Sequence, residues 1–335
     1  MKNLKVILPV AGSGTRLRPH TFTTSKVLLM VAGKPILGHI METVQHLPAS
    51  EFIFITGHLG KQIETYIKNS FRIKAHFIEQ KEQLGLGHAI YLAKDYIEPN
   101  DDILILLGDT ILDINLNEVV KSKDSLVGVK EVNDPSRFGV VELVDKKVKG
   151  FIEKPDRFVS NLAIVGIYFI KEAGTLFEAL EEIIRKDLRT RGEFQLTDGL
   201  QTLIEKGNKI SAFPVEGWFD CGKPETLLAT NKYLLKKYGK EQNIAGSLII
   251  PPVFIGENVK IERSILGPYV SVGENCYISD SIIKNSIVNI NATVKTSILI
   301  NSIIGESALV NGGFESLNVG DFSQIVQNLV VGKKV

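Results

Sequence analysis

The sequence predicts an α/β domain built on a parallel, helix-covered sheet, followed by a coil of short parallel strands. Two observations carry the first part of that prediction and one carries the second. Unbroken apolar runs such as Val6-Ile7-Leu8, Phe52-Ile53-Phe54-Ile55 and Ile103-Leu104-Ile105-Leu106-Leu107 alternate with apolar residues at helical spacing. Unbroken rather than alternating runs imply burial on both faces, as in a parallel sheet covered by helices. From Ile249 onward helical periodicity disappears, and Ile, Val, Gly, Asn and Ser recur in one short unit.

Taken in order, Val6-Ile7-Leu8 is a buried strand that opens into a glycine-rich loop. Pro35 suits a first helical turn, where its missing N–H costs nothing, and Ile36, Leu37, Ile40, Met41, Val44 and Leu47 follow at helical spacing. His39 and His46 are expected on the surface of that helix. A mixed segment covers Ile63 to Ile67, and the strand Ile103–Leu107 ends at Gly108-Asp109. Strands draw closer between Leu126 and Ile170, with a hairpin around Asp145-Lys146-Lys147. Helices fit Leu196–Lys206 and Glu225–Lys237, and the domain is expected to end within Gly239–Gly246.

Beyond it, Ile255-Gly256-Glu257-Asn258-Val259, Val272-Gly273-Glu274-Asn275-Cys276, Ile290-Asn291-Ala292-Thr293-Val294 and Ile304-Gly305-Glu306-Ser307-Ala308 share one pattern. Ser-Ile recurs at 264, 281, 286, 297 and 302. Three six-residue strands return a chain to its starting face after about 18 residues, so successive coils stack their Ile and Val. An irregular β-sandwich would instead need clear turn signals between its strands. The stretch resembles a left-handed parallel β-helix of hexapeptide repeats.

Composition narrows the function. Among 335 residues, 39 Lys and Arg face 38 Asp and Glu, a net charge of +1 that leaves no field to hold nucleic acid. Hydrophobic residues at 44% and charged residues at 23% are ordinary for a globular chain and exclude disorder. No apolar run approaches the roughly 18 residues of a membrane span, and the six-residue run Val6–Ala11 is short for a signal peptide. With only two cysteines, Cys221 and Cys276, a disulfide framework is impossible. A cytoplasmic protein is expected.

The strongest chemical signal is Leu8-Pro9-Val10-Ala11-Gly12-Ser13-Gly14-Thr15-Arg16-Leu17-Arg18-Pro19, with Ser25-Lys26 after it. Small residues after a buried strand free backbone N–H groups to face phosphate oxygens, and Arg16 and Lys26 add charge for a polyphosphate. Leu17 stands where a dinucleotide fingerprint needs glycine, and no Gly-Lys-Ser/Thr closes a Walker A loop. Asp109, after an apolar strand, faces the crevice where open α/β sheets bind ligands, and its oxygens suit a hard divalent ion. Gly217-Trp218-Phe219-Asp220-Cys221-Gly222 offers a second carboxylate.

With Glu153-Lys154-Pro155, these segments resemble the sugar-1-phosphate nucleotidyltransferase family, of the glucose-1-phosphate thymidylyl- and uridylyltransferase type with a C-terminal β-helix. The resemblance implies a Rossmann-like mixed-sheet nucleotidyltransferase domain over 1–243 and a left-handed parallel β-helix over 244–335. It implies that the loop Ala11, Gly12, Ser13, Gly14 and Thr15 binds nucleotide, that Arg16 and Lys26 hold the triphosphate, and that Asp109 and Asp220 carry Mg²⁺. Gln80 and Gly85 match the segment that reads the base. Lys154 matches the residue that grips the sugar phosphate, and Gly139, Glu153, Asn161 and Tyr168 match positions lining the hexose. Two departures stand out: the loop lacks an extra glycine common in relatives, and Thr110 replaces a common Asn.

The implied partners are a nucleoside triphosphate, dTTP or UTP, and a sugar 1-phosphate, glucose 1-phosphate by default. The products are an NDP-sugar and pyrophosphate. A bifunctional uridylyl/acetyltransferase is the alternative, yet residues 245–335 contain no histidine to deprotonate an acyl acceptor. A non-catalytic regulatory subunit would have no need of Arg16, Lys26, Asp109, Lys154 and Asp220 together. Open β-helix ends and faces predict that the coil packs on the catalytic domain or on another subunit, giving a homo-oligomer. Cys221 is read as a packing residue, His88 as equally suited to the base or to packing, and Glu193 as either a sugar ligand or an early acidic residue of a helix.

Overall fold

The computed structural model describes residues 3–145, 147–239, 242–313 and 316–327, and counts and absences below concern these residues. Lys146, in the expected hairpin turn, lies outside them, as do Lys240 and Glu241 within the expected domain boundary. The chain forms two compact units. One joins the chain up to Ser13 with His39–Trp218, and the other joins Gly14–Gly38 with the chain from Phe219 onward.

The first unit is organised by a nine-stranded sheet of β1 (Leu4–Val10), β2 (Ala49–Thr56), β3 (Ala75–Glu79), β4 (Asp102–Leu106), β5 (Ser125–Glu131), β6 (Gly139–Val144), β7 (Lys147–Glu153), β8 (Leu162–Ile170) and β9 (Ile210–Pro214). Their order across the sheet is β3-β2-β1-β4-β8-β5-β9-β7-β6. The β3-β2-β1-β4 side is parallel, with Val6 opposite Phe52 on one edge and Leu104 on the other. The sheet becomes mixed where β8 runs antiparallel to β4 and β5. The β6–β7 hairpin is antiparallel, Glu153 facing Gly139.

Ile7, Ile53, Ile103 and Ile105 are fully buried, as continuous apolar runs predict, and pack with Leu176, Leu180 and Leu200 from the covering helices. Those helices are α2 (Gly60–Ser70), α3 (Leu86–Tyr91), α4 (Gly174–Arg185) and α5 (Leu196–Glu205), after α1 (Ile36–Val44). Two expectations about α1 fail. Pro35 is paired with Met30 in a two-residue strand and the helix begins one residue later. His39 is buried, because it falls on the same helical face as Ile36 and Ile40, while His46 lies beyond the helix end.

In the second unit the helix α6 (Pro224–Tyr238) precedes the repeat. Short strands then fall into three sheets that the chain visits in turn, every neighbouring pair parallel. The coils are tighter than the expected 18 residues: Val253 pairs with Val270, Ser271 with Ile287 and Ile303 with Asn318. Asn258, Asn275 and Asn291 stand at φ 56, 57 and 58 at corresponding corners, which explains Asn in the repeated pattern. Leu266, Val272, Ile278, Ile283, Val294, Leu299 and Val310 form a separate core inside the coil.

Candidate active site

The loop after β1 begins within the first unit. Ala11 is buried; its carbonyl accepts the Gln83 side-chain N–H at 3.4 Å and crowds Gly57, where a Cβ would stand 2.7 Å from that oxygen. Gly12 is exposed, with nothing within 4 Å of a built Cβ. β4 ends at Leu106; the next residue, Leu107, donates its N–H to the Gly166 carbonyl, and Gly108 N–H donates to the Pro9 carbonyl at 3.3 Å. Asp109 follows, half-buried, its Oδ1 accepting the Thr110 hydroxyl at 3.3 Å. Thr110 thus turns its hydroxyl onto the carboxylate.

Gln80 and Gly85 come together. Gln80, buried, donates from Nε2 to the Gly85 carbonyl at 3.1 Å and lies 3.2 Å from His88 Nδ1. Gly85 has φ +106, and a Cβ there would stand 2.6 Å from the Phe194 carbonyl and 2.8 Å from Glu193 Cβ, so no side chain fits. Glu193 therefore flanks this segment, and its Oε2 accepts from Gln195 at 3.2 Å. Burial pushes the His88 imidazole below its ordinary pKa against the pull of Glu82.

The hairpin gathers Gly139, Glu153 and Lys154. Glu153 Oε2 accepts the Thr197 hydroxyl at 3.1 Å, and Oε1 lies 3.3 Å from the Lys154 ammonium. A Cβ on Gly139 would meet Glu153 Oε2 at 3.0 Å, so glycine leaves that carboxylate room. Lys154 adopts φ 42, its carbonyl accepting from Arg191 at 2.9 Å, while its side chain stays 41% exposed and within reach of solvent anions. Asn161 is exposed and its carbonyl accepts from Val132. Tyr168 sits in the core opposite Ile105; burial first, then Glu153, drives its phenol pKa upward. The sequence did not single out Thr197 or Asp198. Asp198 has a buried Oδ2 with no hydrogen-bond partner, and burial raises its carboxyl pKa despite the Thr190 hydroxyl, with Glu153 adding to the rise.

The second unit holds the cationic half of the loop. Gly14 takes a left-handed φ of 62, and a Cβ there would meet the Thr21 methyl at 2.8 Å and Lys26 Cβ at 3.0 Å. The Thr21 hydroxyl donates to the Gly14 carbonyl at 2.8 Å, and Leu17 N–H donates to the same oxygen at 2.8 Å. Thr15 and Arg16 are exposed, whereas Lys26 is only 8% exposed. Asp220 and Arg16 meet over Gly222: its Cβ would stand 2.8 Å from Asp220 Oδ1 and 3.2 Å from Arg16 Nη2. The Cys221 side chain is fully buried against Thr230, 3.7 Å from its hydroxyl, in the packing role expected of it. Among the described residues no three His, Cys, Asp or Glu side chains gather as a ready metal cage, and no helix is long and apolar enough to cross a membrane.

A family model described as nucleotidyl transferase matches residues 5–237. The bifunctional protein GlmU of Methanococcus vannielii is 38% identical over 70% of this chain and 55% of its own length. A glucose-1-phosphate thymidylyltransferase of Streptomyces antibioticus is 33% identical, covering 77% of this chain and 74% of that one. A crystal structure of UDP-glucose pyrophosphorylase complexed with UDP-glucose superposes with a TM-score of 0.62 at 27% identity, over 71% of this chain and 100% of that one. The chain spans 55–66% of the length of the first curated relatives it matches. With the matched segment running from β1 through nearly all of α6, the chain belongs to the nucleotidyl transferase family.

Proposed function

We propose that this protein transfers a nucleotidyl group from dTTP or UTP to a sugar 1-phosphate, glucose 1-phosphate by default, releasing pyrophosphate. The observation that carries the reading is the loop after β1. Gly14, closed by Thr21 and Lys26, leads directly to an exposed Arg16, an arrangement suited to polyphosphate. The matched relatives act, by their names, on thymidylyl and UDP-glucose chemistry, which supports the same substrate class.

In the proposed reaction a sugar-phosphate oxygen attacks the α-phosphorus in line. The bond to the β-phosphate oxygen breaks, and pyrophosphate leaves with that electron pair. Both substrates are anions, so their repulsion must be overcome before attack. Arg16 and Lys26 are proposed to hold the triphosphate and Lys154 the sugar phosphate, while the N–H groups of Ala11 to Thr15 face phosphate oxygens. Alignment of the two phosphates accounts for up to ~7–11 kcal/mol of barrier. Gln80 and Gly85 are assigned to the base. Gly139, Glu153 and Asn161 are assigned to the hexose, with Tyr168 supporting that wall from the core.

Asp109 and Asp220 offer hard carboxylate oxygens, the donor type that suits Mg²⁺, which completes its shell with substrate phosphates and water. When bound, Mg²⁺ supplies neutralisation of triphosphate charge. The reading extends to a cytoplasmic homo-oligomer whose catalytic residues fall within 1–243 and whose β-helix, 244–335, is left-handed. The bifunctional alternative finds no histidine in residues 245–335. The test is pyrophosphate release across dTTP and UTP, each with glucose, N-acetylglucosamine and mannose 1-phosphates. Turnover with at least one pair is expected, and none with any pair would overturn the reading.

A further inference from the structure

The glycine-rich loop is tied to the coil. His20, 1% exposed, shares a 2.7 Å hydrogen bond between its Nε2 and Asn318 Oδ1. Because the amide oxygen accepts, the ring carries its proton on Nε2. The hydroxyls of Thr23 and Thr24 both donate to Asp321 Oδ2, the latter at 3.3 Å. Asp321 is itself anchored, its Oδ1 accepting Glu306 N–H at 2.8 Å from the preceding coil. Gly320 lies so close to Pro19 that a Cβ would stand 2.9 Å from two ring carbons. Farther along, Ala32 N–H donates at 2.8 Å to Asn231 Oδ1, which also accepts the Ser271 hydroxyl at 2.6 Å.

The turn so gripped, Pro19–Thr24, lies between Arg16 and Lys26. Thr21 in that turn donates its hydroxyl to the Gly14 carbonyl, and Gly14 lies so close to Lys26 that a Cβ would stand 3.0 Å from the lysine Cβ, which links loop and turn. We propose that Asn318 and Asp321 are positioning residues for nucleotide binding: they fix the Pro19–Thr24 turn and thereby set Arg16 and Lys26 for the triphosphate. The proposal rests on the reading of those two cations as triphosphate ligands. It gives the β-helix a part in the nucleotide site beyond assembly. Neither residue touches substrate; each acts through the turn.

The experiment compares the full-length chain with Asp321→Ala, Asp321→Asn and Thr23→Val. Loss of hydrogen bonds to a charged acceptor is expected to raise KM for the nucleotide about tenfold in Asp321→Ala. KM for the sugar phosphate and the thermal midpoint should stay within twofold and about 2 °C of wild type, respectively. Asp321→Asn, which keeps an acceptor oxygen, should recover most of the loss, and Thr23→Val should reproduce part of it. Amide hydrogen exchange over residues 15–28 should accelerate about tenfold in Asp321→Ala, with exchange in α6 unchanged.

Unchanged exchange in the loop would overturn the proposal. So would a parallel rise in both KM values with a fallen midpoint, which marks general destabilisation. Faster exchange with unaltered nucleotide KM would overturn it too, leaving a purely structural tie. If wild type turns over no substrate pair, the proposed reaction fails. Nucleotide binding then takes the place of KM, read by equilibrium titration of dTTP and UTP. An affinity in Asp321→Ala unshifted from wild type, or no binding by wild type itself, counts against the proposal.

Discussion

At the scale of single residues, the site depends on a few positions with no room for replacement. Lys26 is nearly enclosed, and its stem seals the loop against Gly14. Lys26→Ala is therefore expected to lower kcat/KM by about 10²–10³ while the central sheet keeps its circular dichroism, the size expected for losing one preorganised charge-stabilising group. A loss below tenfold in a pyrophosphate-release assay would remove Lys26 from the mechanism. Gly85 is a stricter case. Its φ of +106 and the Phe194 carbonyl at 2.6 Å from a built Cβ mean that Gly85→Val should destabilise the fold by about 1–3 kcal/mol, measurable by urea denaturation. Both residues stand in quotable motifs, so the sequence marks them. Thr197 does not, because its task is to donate to Glu153 from a distant helix, and only tertiary packing brings the two together. His39 misleads for a related reason: seven-residue spacing fixes a helical face but does not say which face meets the core.

The elements show the same division between pattern and partner. Recurrent Ser-Ile pairs announce a repeat, yet hydropathy gives no reason for serine there. In the structure each of these serines turns a corner, buried. Ser281 Oγ donates to the Ser279 carbonyl at 2.7 Å and accepts Ser297 N–H from the next coil at 3.1 Å. Ser286 does the same with Lys284 and Ser302. The hydroxyl thus satisfies a corner amide that neighbouring strands cannot reach. The isoleucine after the serine is buried at Ile287 and Ile303 but exposed at Ile282 and Ile298, where the next residue turns inward instead, and Ile283 is fully buried in the core. Ile283→Ala should cost about 2–5 kcal/mol, whereas exposed Lys284→Ala should change stability by less than ~0.5 kcal/mol, both read from denaturant midpoints. The continuous apolar strands of the first unit were legible in outline. The antiparallel insertion of β8 between β4 and β5 was not, since burial on both faces reads alike for either strand direction.

For the whole molecule, part of the acid response should trace to the buried His20 ring. Burial lowers the His20 pKa against the raising influences of Asn318 and Asp321, and Glu306, itself raised by burial, faces Asp321. A histidine whose folded pKa lies below its unfolded value of about 6.5 stabilises the fold fully above that pH. The contribution falls as pH drops below 6.5 toward the folded pKa. Glu306 acts in the opposite sense as pH rises above its unfolded range, but it is common to wild type and variant. The thermal midpoint of wild type should therefore fall more steeply between pH 7 and pH 5 than that of His20→Gln; parallel curves from scanning calorimetry would refute this. The grouping of Gly14–Gly38 with the chain from Phe219 onward also bears on biosynthesis. A ribosome adding about 5–20 residues per second delivers Arg16 and Lys26 tens of seconds before Asn231, Asn318 and Asp321 emerge. A nascent chain thus carries Arg16 and Lys26 long before the residues that hold the turn between them, so the proposed nucleotide site would be completed only after Asp321 has been made.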